Sequence, residues 1–100
     1  MFNIISRRTL LRYAQRHPSA ATALYRWYAE MLHSASRNFN ELRTEYPDLS
    51  IVGDDRVVFN IMGNRYRLVV RIVFDYRVLQ IKWFGTHHEY DRINVATIQH

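Results

Sequence analysis

VVFNIMGNRYRLVVRIVFDYRVLQIKWF, residues 57–84, alternates apolar and polar side chains on both sides of a Gly63-Asn64 pair. Glycine tolerates the positive φ that tight hairpin turns demand, so the pair reads as a two-residue turn between two antiparallel strands. Such a turn sets Ile61 opposite Tyr66, Asn60 opposite Arg67 and Phe59 opposite Leu68. Successive side chains in a strand point to opposite faces. One face therefore collects Val57, Phe59, Ile61, Tyr66, Leu68, Val70, Ile72 and Phe74, and is core. The other collects Val58, Asn60, Met62, Arg65, Arg67, Val69, Arg71 and Val73.

A second hairpin follows. A four-residue loop at 75–78 pairs Phe74 with Leu79, Ile72 with Ile81 and Val70 with Trp83. A loop one residue shorter would turn Gln80 and Lys82 onto the apolar face. The longer loop places Lys82 opposite Arg71, with Gln80, Arg67 and Asn60 nearby. The sheet then has one apolar side, covered by helices, and one open side with a cationic strip. Like charges facing each other across strands repel, so a strip without acids points to an anion or to an acidic protein surface.

The first half reads as helical. Phe2–Ile5 is too short for a helix and reads as a strand joining the sheet. Ser6 is placed as an N-cap. A helix over 7–16 has a narrow stripe of Leu10, Leu11 and Ala14, and His17-Pro18 interrupts it. Pro18 suits the first turn of a second helix running to about residue 35, with Ala21, Leu24, Tyr25, Tyr28, Met31, Leu32 and Ala35 in its stripe. Tyr25, Trp27 and Tyr28 read as core or partner-facing, and His17 and His33 as surface residues. Phe39, Leu42 and Tyr46 allow a further turn or two before Pro47, and LSIVGDD is a loop or a short extended piece.

Helices followed by a mainly antiparallel sheet make the class α+β, and 100 residues without a linker make one domain, 1–100. With no cysteine, disulfides and thiolate metal sites are excluded. No signal sequence and no run of apolar residues long enough to span a bilayer is visible, so the expectation is a cytoplasmic protein without a membrane partner. Fourteen Lys+Arg against nine Asp+Glu give a net charge of +5, and all of those cations but Lys82 are arginine. The guanidinium binds phosphate as a planar fork and stacks on bases, which favours a nucleic-acid partner.

FGTHHEYDRI, residues 84–93, concentrates titratable groups. His87 and His88 are adjacent and diverge on a helix or a strand, so they do not form a zinc pair. No serine lies in a nucleophile elbow or triad setting. Histidine exchanges protons near neutral pH, so His87 is a candidate acid or base, and Tyr90 a candidate to bond a phosphate or stack on a base. A structural reading stands beside this one: Thr86 as N-cap and Glu89 three residues on form a capping box for a last short helix.

FNIMGNRYRLVVRI at 59–72 and IKWFGTHHEYDRI at 81–93 resemble the HigB family of bacterial toxins from type II toxin-antitoxin modules. The resemblance runs nearly the length of the chain. It is specific in Phe59-Asn60, Gly63-Asn64 and Arg67, then in Thr86-His87 and Glu89-Tyr90-Asp91. It implies the RelE-like α+β fold, cleavage of messenger RNA on the translating ribosome, no metal cofactor and a bacterial cytoplasmic location. It also implies a cognate HigA-type helix-turn-helix antitoxin, through which the complex binds operator DNA.

Arg67, Lys82, His87 and Tyr90 occupy motif positions where the resemblance and the face assignment agree, with Lys82 standing where arginine is also common. Asn60, Asn64, Arg65, Arg71, Gln80 and His88 complete the expected RNA-binding set, Arg71 on the face assignment alone. The chemistry these residues would serve is attack of the RNA 2′-hydroxyl on the adjacent phosphate, with Arg67, Lys82 and Arg71 supplying charge; relatives differ in the residue that acts as base, and His87 is assigned the proton here from this chain's own residues. A non-catalytic nucleic-acid binder and a toxin acting on a protein target remain open on the sequence.

Overall fold

The computed structural model describes residues 1–53 and 55–98. Along the chain come β1 (Asn3–Ile4), α1 (Arg7–Arg16), a 3-10 turn at Pro18–Ala20, α2 (Ala21–His33), α3 (Phe39–Glu45), β2 (Ser50–Val52), β3 (Arg56–Ile61), β4 (Tyr66–Val73), a 3-10 turn at Phe74–Tyr76, β5 (Val78–Thr86) and α4 (His87–Tyr90). The strands form one five-stranded sheet in the order β1-β5-β4-β3-β2. β1 joins β5 in parallel and every other pair is antiparallel. This is an α+β fold with the N-terminal helices on one face of a mixed, mostly antiparallel sheet, as in the RelE-like fold.

The first hairpin has the expected register, with Phe59 opposite Leu68, Asn60 opposite Arg67 and Ile61 opposite Tyr66. The left-handed backbone of its turn falls on Met62 (φ 54) and Gly63 (φ 65). Gly63 accepts that conformation freely, whereas a Cβ-bearing residue there costs on the order of 1 kcal/mol.

The second hairpin departs from expectation. Its loop is Phe74 to Arg77, with Val73 opposite Val78, Ile72 opposite Leu79 and Val70 opposite Ile81. Arg77 takes the left-handed conformation (φ 55) and is held there by its own contacts. Its guanidinium stacks 3.8 Å from the Phe2 ring centroid and donates to the carbonyls of Met1, Ser34 and Ser36. Between Val69 and Val70 the register shifts, so Trp83 faces Val69 and Phe84 faces Leu68. Lys82 is the extra residue of this β-bulge. A bulge reassigns every side chain beyond it, which is why Trp83 leaves the expected core face; Lys82 misses Arg71 for another reason, since the loop falls one residue earlier than expected and puts Gln80 opposite Arg71.

The core lies between helices and sheet. Leu24, Met31, Leu42, Phe59, Leu68 and Leu79 are fully buried, each contributing about 1.5–3 kcal/mol on removal from water. In α1 the inward residues are Leu10, Tyr13 and Ala14, at i, i+3 and i+4; Leu11, expected in the stripe, is exposed. In α2 they are Leu24, Trp27 and Met31, with Tyr25 exposed, and the helix stops at His33. Ser6 caps α1 by position only, because its hydroxyl accepts from the Ile81 N–H. LSIVGDD contains a true strand, β2, on the sheet edge.

The opposite sheet face is not fully open. Val58, Val69 and Trp83 form a second cluster there, against which Val52, Tyr90, Ile93, Val95 and Ile98 pack. The chain after α4 thus folds back over the sheet. Buried Arg56 fastens it, donating to the Val95 carbonyl at 3.1 Å and the Ile98 carbonyl at 2.7 Å. Arg56→Met would leave these carbonyls without that donor, so denaturant unfolding should show a loss of about 1–3 kcal/mol, with faster proteolysis after residue 90.

Candidate functional site

The site is assembled where β5 runs into α4. Thr86 closes the strand and its hydroxyl accepts from the Glu89 N–H at 3.1 Å, while the Glu89 carboxylate accepts from the Thr86 N–H at 2.8 Å. The capping box read in the sequence is therefore complete, and it fixes the direction in which His87 leaves the sheet. The bonds from the Thr86 backbone hold the Glu89 carboxyl below its ordinary range, against a smaller opposing effect of burial. The His87 N–H adds a tie across to the Arg65 carbonyl at 2.9 Å.

Arg67 reaches the same point from β4. One of its terminal nitrogens is 2.7 Å from Nδ1 of His87 and also donates to Asn64 Oδ1 at 2.7 Å. The other donates to the carbonyls of Asn64 and Tyr66, each at 3.2 Å. A guanidinium only donates, so Nδ1 must present its lone pair and the neutral ring carries its hydrogen on Nε2. Nε2 lies 3.7 Å from Asp91 Oδ2, one helical turn on. Asn64 positions Arg67, Arg67 and Asp91 flank the two nitrogens of His87, and the imidazole remains half-exposed.

Tyr90 completes the group. Its ring lies 6.3 Å from that of Trp83, and burial raises its pKa, the Arg67 charge opposing in part. A phenol is a hydrogen-bond donor at neutral pH, and this shift keeps it so into more alkaline conditions. Beside these residues Asn64, Arg65, Tyr66, Thr86, His87 and His88 line an open cleft of ≈ 350 Å³.

Not every residue singled out in the sequence converges here. Lys82, in the bulge, is half-buried and lies about 10 Å along the sheet from Arg67, judged by strand rise. Arg71 donates to Asp55 Oδ2 at 2.7 Å and to Gln80 Oε1 at 3.3 Å, so the cationic strip does contain an acid and Arg71 is neutralised by it. Asn60 is exposed opposite Arg67, and His88 is exposed with its ring 5.9 Å from that of His87.

Two contributors were missed. Asp91 has the i,i+4 spacing to His87 that marks a helical pair, a signal available in the sequence. His17, read as a surface residue, is half-buried and packs edge-on against Tyr66 and Phe84, and it helps to hold Glu89 ionised. Nothing local in the sequence announces that contact.

Gly85 is the close-packed point of the site. A Cβ built there would lie 2.5 Å and 2.7 Å from indole carbons of Trp83 and 2.9 Å from Glu89 Oε1. Gly85→Ala should therefore displace the indole and open the capping box. The expected result is a loss of about 1–3 kcal/mol in denaturant unfolding together with impaired function, even though no titratable group is changed.

Among the described residues no three His, Cys, Asp or Glu side chains converge as a metal site, and no helix is long and apolar enough to cross a membrane. No curated protein sequence matches the chain. The HigB_toxin family model, the RelE-like toxic component of a toxin-antitoxin system, matches residues 20–93, a span containing α2, α3, β2 to β5, Arg67 and α4. By that match over most of its length, on a fold of the same kind, the chain belongs to the HigB toxin family.

Proposed function

We propose that this toxin is an mRNA interferase, an endoribonuclease that cleaves messenger RNA on the ribosome without a metal ion and so arrests translation until a HigA-type antitoxin neutralises it. The observation that carries the reading is the 2.7 Å contact between the Arg67 guanidinium and Nδ1 of His87 at the mouth of an open cleft.

At rest the two groups satisfy each other. A phosphodiester entering the cleft competes for Arg67 as a charge-assisted, forked acceptor. As the guanidinium turns to the phosphate, the lone pair on Nδ1 is released beside it. His87 then takes the proton of the 2′-hydroxyl, whose oxygen bonds to phosphorus while the bond to the 5′-oxygen breaks. That oxygen leaves as a hydroxyl, protonated from water, and the other fragment ends in a 2′,3′-cyclic phosphate. Asp91 steadies the imidazolium through Nε2–H. Arg67 stabilises the charge that builds on the phosphorane, and Tyr90 donates to a phosphate oxygen. Asn60, Asn64, Arg65, His88 and, farther along, Lys82 hold the flanking RNA. Arg71, which donates to Asp55 and to Gln80, and Gln80 itself take no part in the proton transfers.

The test maps RNA 5′ ends after incubation with free message, in EDTA, and with the same message on translating ribosomes. New 5′-hydroxyl ends are the expected result. Their absence in both settings would overturn the proposal and leave a binding protein or a toxin with a protein target.

A further inference from the structure

The inner side of α1 belongs to the core, and its outer side is exposed. Arg8, Leu11, Arg12 and Gln15, at i, i+3, i+4 and i+7, form one exposed stripe, bordered by Arg7 and Ile5. Ile5 is 52% and Leu11 38% exposed, and with Arg7 and Arg8 they line a shallow cleft of ≈ 420 Å³.

Two of the charges on this helix are placed against its own stability. Arg7 and Arg8 stand in the first turn, where the helix dipole disfavours cations, and α1 contains no acid. Among the described residues none of Arg7, Arg8, Arg12 and Arg16 pairs with a carboxylate, and Arg12 makes only a 3.4 Å contact to the Thr9 hydroxyl. Three of these unpaired arginines, Arg7, Arg8 and Arg12, stand around two exposed aliphatic side chains and form the complement of an acidic amphipathic segment.

We infer that this face of α1 is the docking surface for the antitoxin that membership of a toxin-antitoxin family entails, and that it receives an acidic amphipathic segment. Apolar side chains of that segment seat on Ile5 and Leu11 while its carboxylates pair with Arg7, Arg8 and Arg12. RNA is the lesser fit, since a phosphate backbone gains nothing from exposed isoleucine and leucine. Its Ile5 end is also far from His87, while the other end of α1 leads to His17 beside Tyr66 and Phe84. The Ile5 N–H donates to the Leu79 carbonyl near the start of β5, and His87 follows its end, about 26 Å away by strand rise. The inference stands on the family and on α1, and it does not depend on the ribonuclease reading.

The probe is the purified product of the gene adjacent to that of this chain, titrated calorimetrically onto wild type and variants. Arg8→Glu/Arg12→Glu and Leu11→Asp should each weaken binding about tenfold or more, as desolvated anchor contacts do. Arg8→Lys/Arg12→Lys should retain most of it, which separates lost charge from lost fold, and melting temperatures check the fold directly. His87→Ala should bind as wild type does, whether or not RNA is cleaved. Absence of binding by wild type, or unchanged binding by the α1 variants, would overturn the inference. So would α1 variants that keep the antitoxin but lose ribosome association, which would assign the surface to RNA.

Discussion

Replacing His87 by alanine is expected to lower the single-turnover rate of message cleavage on ribosomes by about 10²–10⁴-fold, the range over which a positioned acid or base acts. The fold should be unaffected. The capping box uses the side chains of Thr86 and Glu89, and the tie to the Arg65 carbonyl uses the His87 backbone, so alanine retains all of these bonds. Denaturant midpoints close to wild type, with loss of 5′-hydroxyl ends, would separate chemistry from folding. A variant that cleaves within about tenfold of wild type would remove His87 as the proton carrier, leaving catalysis to charge stabilisation alone.

Arg67→Ala should cost about 10²–10³-fold in the same assay, comparable with removal of a principal oxyanion donor. Arg67→Lys should restore little. A single ammonium cannot span Asn64 Oδ1, the Asn64 and Tyr66 carbonyls and a phosphate as the planar fork does. RNA affinity should fall as well, and the slope of its logarithm against salt should flatten by about one. Because Arg67 also orients the imidazole, the Arg67→Ala/His87→Ala double variant should be little worse than the more severe single one. Multiplying defects would show that the two residues act separately.

The register of the first hairpin was legible from its glycine turn and strict alternation, although the left-handed pair is Met62-Gly63 and not the Gly63-Asn64 read from the sequence. The second was not, because a bulge leaves no mark on alternation until the partner strand is known. Ile81 and Trp83 share a parity in sequence yet lie on opposite faces, with Lys82 the extra residue between them. The return of the chain over the sheet was invisible for a similar reason. Ile93, Val95 and Ile98 have neither helical nor strand periodicity, and the buried arginine that secures them looks on paper like a surface cation.

In the site, the capping box followed from local spacing, whereas the contact of Arg67 with His87 depends on the β4–β5 register beyond the bulge, which alternation did not reveal. The pairing of Arg71 with Asp55 required the path of the β2–β3 connection, which propensity does not give.

The bulge also bears on how the gene can change in length. In a turn such as Phe74 to Arg77, gained or lost codons alter a loop on the surface. Between Val78 and Thr86 a single in-frame insertion or deletion would turn every following residue through half a revolution, carrying the capped histidine to the helical side of the sheet. Homologous genes should therefore show length differences in the connections between strands and after residue 91, and a fixed count from 78 to 91, with Lys82 marking a reading frame written in geometry rather than in nucleotides.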